Sequence, residues 1–446
     1  MVPETRTSAS ELPSGRLEER FSEYAPLLKP AAAAIEASRC LYCFEAPCVT
    51  ACPTGIDVPG FIKKIATGNL DGSARTILEA NLLGYSCARV CPVEVLCVGA
   101  CVYNHWDQRP IAIGRLQRFA TEQLVSGGRR VLRAKPRRPG RVALVGGGPA
   151  SLACAGTLAL EGVEAVIYER ARWGGGLNTL GIAPYKMSAA DALAEVAFIQ
   201  SLGVRLETGV DVGEDLPVAR LFEEFDAVFL GIGLGGDSRL RIPGEEGPCV
   251  IGATALIERV KHDPTFSLAP GTQAIVVGGG NTAIDAAREL AKLGSRATIV
   301  YRRRREQMRG YEHEVRQALD EGVALVPERV PVAVVRSGEQ VTALRVAQAR
   351  NGTPVPGTES EIAADLVVVA IGQARLASFV SRFPGVELDH RSRIVVDPAT
   401  GRTGHPRVYA GGDCANGGKE VVNAVAEGRD AARAILAALG PMARTS

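Results

Sequence analysis

Eight of the eleven cysteines lie in a single stretch of the sequence, between residues 39 and 117. The first run is followed directly by a proline and has the spacing Cys40-x2-Cys43-x4-Cys48-x3-Cys52. The second run has a proline directly after its second cysteine and has the spacing Cys87-x3-Cys91-x5-Cys97-x3-Cys101. Thiol groups packed this densely along a chain either pair as disulfides or bind metal.

Short cysteine spacings with a proline directly after a cysteine are typical of 4Fe-4S ligation. In such proteins the last cysteine of a run often ligates the other cluster, so we expect the two runs to interleave. Eight thiolates suffice for two four-iron clusters, and the spacing alone makes Cys87 one of the eight ligands. The sequence therefore predicts two 4Fe-4S clusters.

Zinc and disulfides are the alternatives to iron–sulfur clusters. Zinc sites usually use matched C-x2-C pairs, whereas the spacings here are unequal and the two prolines would have no role. Disulfides require an oxidising compartment. No signal peptide is apparent, because Met1 to Ser14 show no basic segment followed by an apolar core. We therefore expect a reducing, cytoplasmic setting.

Composition and charge argue against two broad classes of function. Lys and Arg number 51 and Asp and Glu 49, a net charge of +2, whereas a dedicated nucleic-acid-binding protein would show a basic excess. No apolar run reaches the roughly 18 residues needed to cross a membrane. The 446 residues leave room for about three domains. The 50 glycines, set among short runs of Val, Ile, Leu and Ala, favour an α/β fold.

A strand, a glycine-rich turn and a helix follow the cysteine region, and the next strand ends in Glu169. An acid about 20 residues after such a turn completes the fingerprint of dinucleotide binding. The helix N-terminus would donate its amides to a pyrophosphate, and Glu169 would accept a hydrogen bond from a ribose hydroxyl. Ser151 replaces the usual third glycine and is small enough for close packing. The turn consists of Gly146, Gly147, Gly148, Pro149, Ala150 and Ser151.

The same unit recurs later in the chain, with one difference. Counting 21 residues from Gly148 leads to Glu169, whereas the same count from Gly280 leads to Tyr301, followed by arginines 302 to 305. An acid prefers a free ribose 2′-hydroxyl and an arginine accommodates a 2′-phosphate. We therefore favour NADP over the alternative of a solvated basic loop. The second turn consists of Gly278, Gly279, Gly280, Asn281, Thr282 and Ala283.

Two further strand ends, at Ala370 to Gly372 and at Gly412 to Asp413, place the second dinucleotide unit inside the first. Nested units of this kind imply two dinucleotides, with a nicotinamide reducing a flavin held by the first unit. The first 30 residues contain four prolines and are predicted to form a flexible arm that wraps the protein. The predicted fold is α/β, with a helical double-4Fe-4S domain at residues 1–135. This domain is followed by an FAD-binding domain, at residues 141–270 and 372–446. An NAD(P)-binding domain at residues 271–371 is inserted into the FAD-binding domain.

From about Leu27 to Leu439 the chain resembles the N-terminal half of dihydropyrimidine dehydrogenase and the bacterial stand-alone subunit equivalent to that half. It is more distantly similar to the small subunit of glutamate synthase. The matching stretches are Ser38-Arg-Cys40, Ala46-Pro-Cys48, Cys52-Pro-Thr, Leu96-Cys-Val-Gly, the segment from Ile113 to Glu122, and Gly148-Pro-Ala-Ser151.

The resemblance implies a ligand set that differs from the one given by spacing. It leaves Cys87 unused and assigns the second cluster to Cys52, Cys91, Cys97 and Gln117. The first cluster would be ligated by Cys40, Cys43, Cys48 and Cys101.

The resemblance also implies the residues that contact the dinucleotides. For FAD these are the stretch from Glu169 through Gly175 and Gly176 to Leu177, Gly412 with Asp413, and Lys186 where the family has an arginine. For the NADP ribose phosphate they are Arg302, Arg303 and Arg309. The bacterial subunit of this type often uses NADH, so NAD remains an alternative nicotinamide cofactor.

We therefore predict an electron-transfer flavoprotein subunit that passes electrons between NAD(P)H, FAD and two 4Fe-4S clusters. A partner FMN-binding barrel subunit would use them to convert uracil or thymine to the 5,6-dihydro form. A barrel of that kind takes about 250 residues, and we expect it on a separate chain. The alternatives are a subunit like that of glutamate synthase or of a bifurcating transhydrogenase, and a cluster domain that serves only for docking.

We predict no general acid or base, because hydride transfer needs alignment more than proton transfer and none of the five histidines falls in a motif. A disulfide reductase would need a C-x-x-C pair beside the flavin, and the sequence has none outside the cysteine region. We expect the three remaining cysteines to fill apolar space in the core. They are Cys154, Cys249 and Cys414.

Overall fold

The structure of the protein, a computed structural model, describes residues 12–125 and 129–440. None of the helices in these ranges is both long and apolar enough to span a membrane. The helices are α1 Pro30–Ser38, α2 Pro47–Thr50, α3 Val58–Ala66, α4 Leu70–Ala80, α5 Gly84–Val90, α6 Ile113–Val125, α7 Pro149–Leu160, α8 Leu177–Leu180, α9 Ala189–Ser201, α10 Val218–Glu224, α11 Ala253–His262, α12 Asn281–Lys292, α13 Glu312–Asp320, α14 Ala377–Val380, α15 Asp413–Asn416 and α16 Val421–Ala438. The strands are β1 Arg141–Val145, β2 Glu164–Glu169, β3 Arg205–Thr208, β4 Ala227–Leu230, β5 Val250–Gly252, β6 Gln273–Val277, β7 Arg296–Val300, β8 Ala324–Val326, β9 Arg329–Ser337, β10 Gln340–Arg350, β11 Thr353–Pro354, β12 Ser360–Ala363, β13 Leu366–Val369 and β14 Val408–Ala410.

The first parallel sheet has the strand order β14-β4-β1-β2-β3. Its central strand β1 is buried from Val142 to Val145, as expected for a parallel strand covered by helices on both faces. Helix α7 follows the first glycine turn and packs along α16. Gly428 permits this close approach, because a Cβ there would collide with the carbonyl oxygen of Ala150.

The second parallel sheet has the strand order β5-β13-β6-β7-β8. Strand β5 pairs with β13 in parallel register, with Ile251 opposite Val368. This sheet therefore starts about twenty residues before residue 271, the start predicted from the sequence. Only three residues form β5, too few for a hydrophobic pattern to identify it.

A small antiparallel sheet interrupts the second unit, and the sequence did not predict it. Strand β10 is its centre and pairs with β9, β11 and β12. The buried residues of β10, among them Leu344 and Val346, pack with Val277 and Val367 of the parallel sheet. The antiparallel sheet thus covers one face of the second parallel sheet.

The cysteine-rich region forms a helical domain, as predicted, with Phe61, Ile62 and Ile77 at the centre of its core. The segment formed by α4 and α5 extends beyond that core. Leu78, Leu82 and Leu83 belong instead to the core of the first parallel sheet. The cluster domain and the first sheet therefore share one continuous apolar core, which fixes how they are oriented to each other.

A buried carboxylate reinforces this junction. Glu195 on α9 accepts hydrogen bonds from the backbone amides of Tyr85 and Ser86, at 3.0 and 3.1 Å, and from the Ser86 hydroxyl. These two residues lie in the first turn of α5, so the carboxylate caps the positive end of that helix. Burial raises the pKa of Glu195 to about 7, although these hydrogen bonds act in the opposite direction. Arg89, one turn later, pairs with Asp191 of α9 at 2.9 Å.

The N-terminal arm wraps the protein, as predicted. From residue 12 onward it is held by specific contacts, whereas the sequence predicted a flexible arm. Leu17 is buried in the core of the second sheet, and Arg16 donates to the carbonyl oxygen of Lys261 at 2.8 Å. Glu18 accepts from the amide of Ala189 at 2.7 Å. The arm therefore joins the two dinucleotide-binding units. Residues 1–11 lie outside the described part of the chain.

Candidate functional site

Four cysteines from both runs line one small cavity of about 30 Å3. The remaining lining, which includes Leu41, Ile62 and Tyr103, is almost entirely apolar. The turn at Cys101 brings the end of the second run to the first run. The cavity thus collects the four residues that the resemblance assigns to one cluster, namely Cys40, Cys43, Cys48 and Cys101.

A second group of cysteines surrounds Cys91. Cys87 forms a hydrogen bond with Cys91, and this bond, burial and the nearby Cys97 and Cys52 raise the pKa of Cys91 well above its usual value. Gln117, the eighth ligand implied by the resemblance, is buried, and its Nε2 donates to the carbonyl oxygen of Gly84 at 2.7 Å. Gly84 begins α5, which carries Cys87. Both candidates for the eighth ligand, Cys87 and Gln117, therefore lie near the start of α5.

The donor chemistry of both groups suits a cluster. Burial together with the neighbouring Cys40 and Cys101 raises the pKa of Cys48 to about 11, so the site as formed by protein alone disfavours thiolates. Bound iron supplies the positive charge that deprotonated ligands require. All eleven cysteines are free of disulfides. In the described ranges, no three His, Cys, Asp or Glu side chains are grouped as they would be around a single metal ion.

One large cavity of about 1430 Å3 connects the three parts of the protein. Drug-sized ligands occupy pockets of about 300–1,000 Å3, so this cavity has room for more than one such group. The cluster domain contributes Cys91, Pro92 and Val93 to the lining. The predicted cofactor residues that line it are Gly146, Gly148, Pro149, Ala150, Glu169, Gly176, Leu177, Lys186, Gly280, Asn281, Thr282, Arg309, Gly412 and Asp413.

The first glycine turn packs closely against the backbone that follows β4. Gly146 has a φ of +88°, and a Cβ there would lie 2.6 Å from the carbonyl oxygen of Gly231. The Glu169 carboxylate accepts from the amides of Gly147 at 2.5 Å and Ala171 at 2.7 Å, which fixes it beside the turn. The buried hydroxyl of Ser151 has no hydrogen-bond partner among the described residues. The turn therefore fits the pyrophosphate and ribose of a dinucleotide.

Asp413 follows β14 and lines the same cavity as this turn. Burial raises its pKa, while the amide of Lys419, at 3.2 Å from Oδ1, and the guanidinium of Arg375 lower it. The neighbouring Gly412 has a φ of +76°, and its amide donates to Glu427 at 2.7 Å. Asp413 and the first turn thus line the same cavity, and the assignment of Asp413 to FAD stays a prediction.

Lys186 joins the two dinucleotide-binding units. Its Nζ lies 2.7 Å from carboxylate oxygens of both Asp285 and Glu314 on the second unit. Burial alone would lower the pKa of Lys186, but these two carboxylates outweigh burial and raise it. Lys186 therefore stays charged at the boundary between the two units.

The second dinucleotide-binding unit repeats the glycine turn of the first, but it has no acid at the end of its second strand. Tyr301 stands where the first unit has an acid, and its hydroxyl donates to the carbonyl oxygen of Gln307 at 2.7 Å. Asn281 accepts from the amide of Tyr311 at 3.0 Å, which ties the turn to α13. Four predicted residues, in the turn or after β13, do not line the cavity, and they are Gly278, Ala283, Ala370 and Gly372.

The arginines after β7 divide into two sets. Arg304 and Arg305 pair with Glu328 and Glu312 at 3.6 and 2.9 Å. Within the described residues, the three arginines predicted to bind the ribose phosphate form no ion pair, and they are Arg302, Arg303 and Arg309. Arg309 lines the large cavity, whereas Arg302 and Arg303 are not part of its lining.

Two hydrogen bonds at the cavity were not predicted from the sequence. The Tyr311 hydroxyl donates to Glu420 at 2.6 Å, and the Tyr185 hydroxyl donates to Asp285 at 2.8 Å. Each joins one dinucleotide-binding unit to the other. No spacing in the sequence could reveal them, because the partners are about a hundred residues apart.

The expectation for the three scattered cysteines needs one correction. Cys154 and Cys414 are buried, as predicted, but Cys249 is exposed. Its φ of +63° places it in a turn just before β5, where the backbone turns at the surface. The prediction that Cys249 fills the core was therefore wrong.

Comparison with known proteins agrees with this architecture. Residues 17–128 match the family described as dihydropyrimidine dehydrogenase domain II, 4Fe-4S cluster. Residues 140–428 match the pyridine nucleotide-disulphide oxidoreductase family. Together the two matches cover both the cysteine-rich domain and the two dinucleotide-binding units.

Two relatives match nearly the whole chain. The glutamate synthase (NADPH) small chain of Halomonas elongata is 33% identical and covers 97% of this chain and 96% of its own length. The NAD-dependent dihydropyrimidine dehydrogenase subunit PreT of Escherichia coli K12 is 36% identical and covers 93% of this chain and 96% of its own length. The two alternatives named from the sequence are thus about equally similar.

Among solved structures, the Mycobacterium tuberculosis protein FprA in complex with NADPH has the same fold over the dinucleotide-binding units. Its TM-score is 0.53 at 22% identity, covering 68% of this chain and 85% of that chain. The chain is therefore an iron–sulfur flavoprotein oxidoreductase, with a 4Fe-4S domain and units for FAD and NAD(P).

The eighth cluster ligand can be identified by substitution. Replacing Gln117→Ala should perturb the electron paramagnetic resonance signal of one cluster and leave the other intact, because Gln117 is assigned to the second cluster. Cys87→Ala should retain both clusters, because it removes only a hydrogen bond to Cys91. Cys249→Ala is the matched control. Loss of a cluster in Cys87→Ala, with none in Gln117→Ala, would show that Cys87 is the ligand.

The division of the arginines predicts which of them select NADPH. The double variant Arg302→Ala with Arg303→Ala should weaken NADPH binding on the order of 10-fold or more, because each lost contact to a phosphate is charge-assisted. NADH binding should change little. The control is Arg304→Ala with Arg305→Ala, whose side chains are already paired. Equal losses for NADPH and NADH, measured by titration of flavin fluorescence, would favour the solvated-loop interpretation.

Proposed function

We propose that this chain, which belongs to the pyridine nucleotide-disulphide oxidoreductase family and carries the 4Fe-4S domain of dihydropyrimidine dehydrogenase, is the electron-input subunit of a multi-subunit enzyme. Its partner is an FMN-binding barrel subunit that converts uracil or thymine to the 5,6-dihydro form. The main support is the lining of the large cavity, where Cys91 of the cluster domain meets both glycine turns. The relatives described as a subunit and as a small chain agree with a partner protein.

When bound, FAD accepts a hydride from the nicotinamide and passes single electrons to the clusters. The protein supplies position and electrostatics. The N-terminus of α7 and the glycine turn present amides to the pyrophosphate of FAD. Glu169 accepts from its ribose, and Asp413, which lines the same cavity, contacts FAD as well. Lys186 contributes a fixed positive charge at the boundary with the second unit.

The second unit binds NAD(P)H by the same kind of interaction, with amides of a glycine turn and a helix N-terminus directed at the pyrophosphate. Its turn at Gly278 to Ala283 receives the pyrophosphate, whereas the predicted residues Ala370 and Gly372 follow β13 without lining the cavity. The guanidinium groups of Arg302, Arg303 and Arg309, which form no ion pair with any described residue, favour the 2′-phosphate of NADPH over the free hydroxyl of NADH.

In the cluster domain, Cys40, Cys43, Cys48 and Cys101 ligate one cluster, and Cys52, Cys91, Cys97 and Gln117 the other. The second cluster lies toward the flavin, because Cys91 lines the large cavity. This placement argues against a cluster domain that serves only for docking. We propose a cytoplasmic setting, in which thiolate-ligated clusters persist.

A second candidate is the electron-input subunit of a glutamate synthase. The relative of that description from Halomonas elongata matches 97% of this chain. The two candidates share the cofactors and the direction of electron flow. They differ in the reaction of the partner, so a partner assay separates them.

We expect the isolated chain to oxidise NAD(P)H with one-electron dyes but not to turn over uracil, thymine or their dihydro forms. Adding a purified FMN-binding barrel subunit should confer pyrimidine turnover, followed by the absorbance of NAD(P)H. The control is the barrel subunit without this chain. Pyrimidine turnover by the isolated chain would contradict the proposal. Turnover of glutamine with 2-oxoglutarate, after addition of a glutamate synthase large chain, would favour the second candidate.

A further inference from the structure

The peptide group between Gly84 and Tyr85, at the start of α5, is hydrogen-bonded on both sides. Its carbonyl oxygen accepts from Nε2 of Gln117 on α6 at 2.7 Å. Its N–H group donates to Oε1 of Glu195 on α9 at 3.0 Å. We call this group the bridging peptide. It connects a buried carboxylate of the flavin-binding unit to the side chain that the proposed function assigns to the second cluster.

The orientation of the Gln117 side chain follows from its contact with the bridging peptide. A carbonyl oxygen only accepts hydrogen bonds, so the corner of the side-chain amide that faces it must be the donor, Nε2. The other corner, Oε1, accepts no hydrogen bond from the described residues, although Gln117 is buried. Oε1 is therefore the atom of this side chain that is left to bind iron.

The carboxylate of Glu195 is compensated by the backbone of α5. Its oxygens accept from the amides of Tyr85 and Ser86 and from the Ser86 hydroxyl. Arg89, the cation of α5, pairs with Asp191 at 2.9 Å and not with Glu195. Within the described part of the chain, the charge of Glu195 is thus offset by backbone dipoles, and no cation forms an ion pair with it.

Helix capping explains the position of this side chain but not its charge. Leu83, the N-cap residue of α5, has no side chain that can cap the helix, so Glu195 supplies the cap from another helix. Neutral amide side chains cap helices as well as carboxylates do, and they avoid the cost of burying a charge. That cost is evident in the pKa of Glu195, which burial raises to about 7.

We propose that Glu195 sets the reduction potential of the second cluster by acting through the bridging peptide on Gln117. This inference rests on the assignment of Gln117 to that cluster in the proposed function. Glu195 is a positioning residue, because it ligates no iron and does not line the large cavity. An ionised acceptor strengthens a hydrogen bond, and hydrogen bonds in a chain polarise one another. The charge of Glu195 therefore makes Oε1 of Gln117 a more electron-rich ligand.

A more electron-rich ligand disfavours the addition of an electron to the cluster. The potentials of iron–sulfur clusters depend on net charge and on hydrogen bonds around the ligands, and hydrogen-bond partners of the ligands tune the metal. Glu195 should therefore lower the potential of the second cluster. Its hydrogen bonds to the cluster domain all go to Tyr85 and Ser86, so the first cysteine group is not linked to it.

The variant Glu195→Gln separates the charge from the capping. Glutamine has the same shape, its Oε1 can accept from both amides, and its Nε2 can donate to the Ser86 hydroxyl. The measurement is a redox titration of both clusters followed by electron paramagnetic resonance. It is made at pH 9, where a carboxyl with a pKa of about 7 is ionised. Iron, sulfide and FAD contents report the integrity of each variant.

We expect Glu195→Gln to raise the potential of the second cluster and to leave that of the first unchanged. The expected change is on the order of 10-fold in the equilibrium constant for one-electron reduction, which is about 59 mV. The matched control is Asp191→Asn, which removes a carboxylate from the same helix and junction but does not contact the bridging peptide. It should shift the potential less. An unshifted second cluster, an equal shift of both clusters, or equal shifts in the two variants would overturn the proposal.

The path through Gln117 is tested by a double-mutant cycle. Gln117→Cys supplies a thiolate, the usual ligand of such clusters, and has no N–H group to donate to the bridging peptide. In that background, Glu195→Gln should shift the potential much less than it does in the wild-type chain. An undiminished shift would show that Glu195 acts through space alone and would reject the path through the bridging peptide.

A second variant applies if Glu195→Gln fails to assemble both clusters. Ser86→Ala removes the hydroxyl that donates to Oε2 of Glu195 and leaves the carboxylate in place. At pH 9 it should lower the potential of the second cluster, because one donor fewer offsets the negative charge. An unchanged or higher potential in Ser86→Ala would contradict the proposal.

The outcome is separable from that of the proposed function. Unchanged resonance signals of both clusters in Gln117→Ala would reject the assignment of Gln117 as a ligand, and this inference with it. A perturbed cluster in Gln117→Ala, together with an unshifted potential in Glu195→Gln, would keep the assignment and reject this inference alone. Neither result depends on the reaction of the partner subunit.

Discussion

The contact between Glu195 and the start of α5 holds the cluster domain to the flavin-binding unit. A buried carboxylate is costly unless it is hydrogen-bonded, and this one accepts from two backbone amides and a hydroxyl of the cluster domain. Helix α5 leads directly to Cys91. Because the apolar core continues through the same junction, Cys91 has a fixed place at the wall of the large cavity.

A single spatial order of sites follows from this junction. The second dinucleotide-binding unit is held against the first by Lys186 and by the hydrogen bond from Tyr311 to Glu420. The N-terminal arm connects the same two units through Leu17 and Glu18. Both glycine turns and Cys91 of the second cysteine group therefore adjoin one cavity, whereas the first cysteine group lines a separate small cavity.

The sequence predicted the parts of this arrangement whose signals are local. The strands β1 and β6, their glycine turns and the helices after them are short-range patterns, and the helical cysteine domain was evident from spacing. What it missed depends on contacts between distant residues. Strand β5 is recognisable only beside β13, and Glu195 looks like any helical acid until it meets α5. The sequence also did not show that Arg304 and Arg305 form ion pairs while Arg302, Arg303 and Arg309 do not. Their partners are Glu328, more than twenty residues away, and Glu312, in the next helix.

Two residues near the start of α5 are candidates for the eighth cluster ligand. Spacing favours Cys87, the resemblance favours Gln117, and both lie near the start of α5. Both agree on the number of clusters, and the account as a whole depends on that number. Measuring iron, sulfide and flavin in protein purified without oxygen tests it most directly. The account predicts about eight irons, about eight sulfides and one FAD per chain, as two four-iron clusters require. Stoichiometric zinc without iron would contradict it.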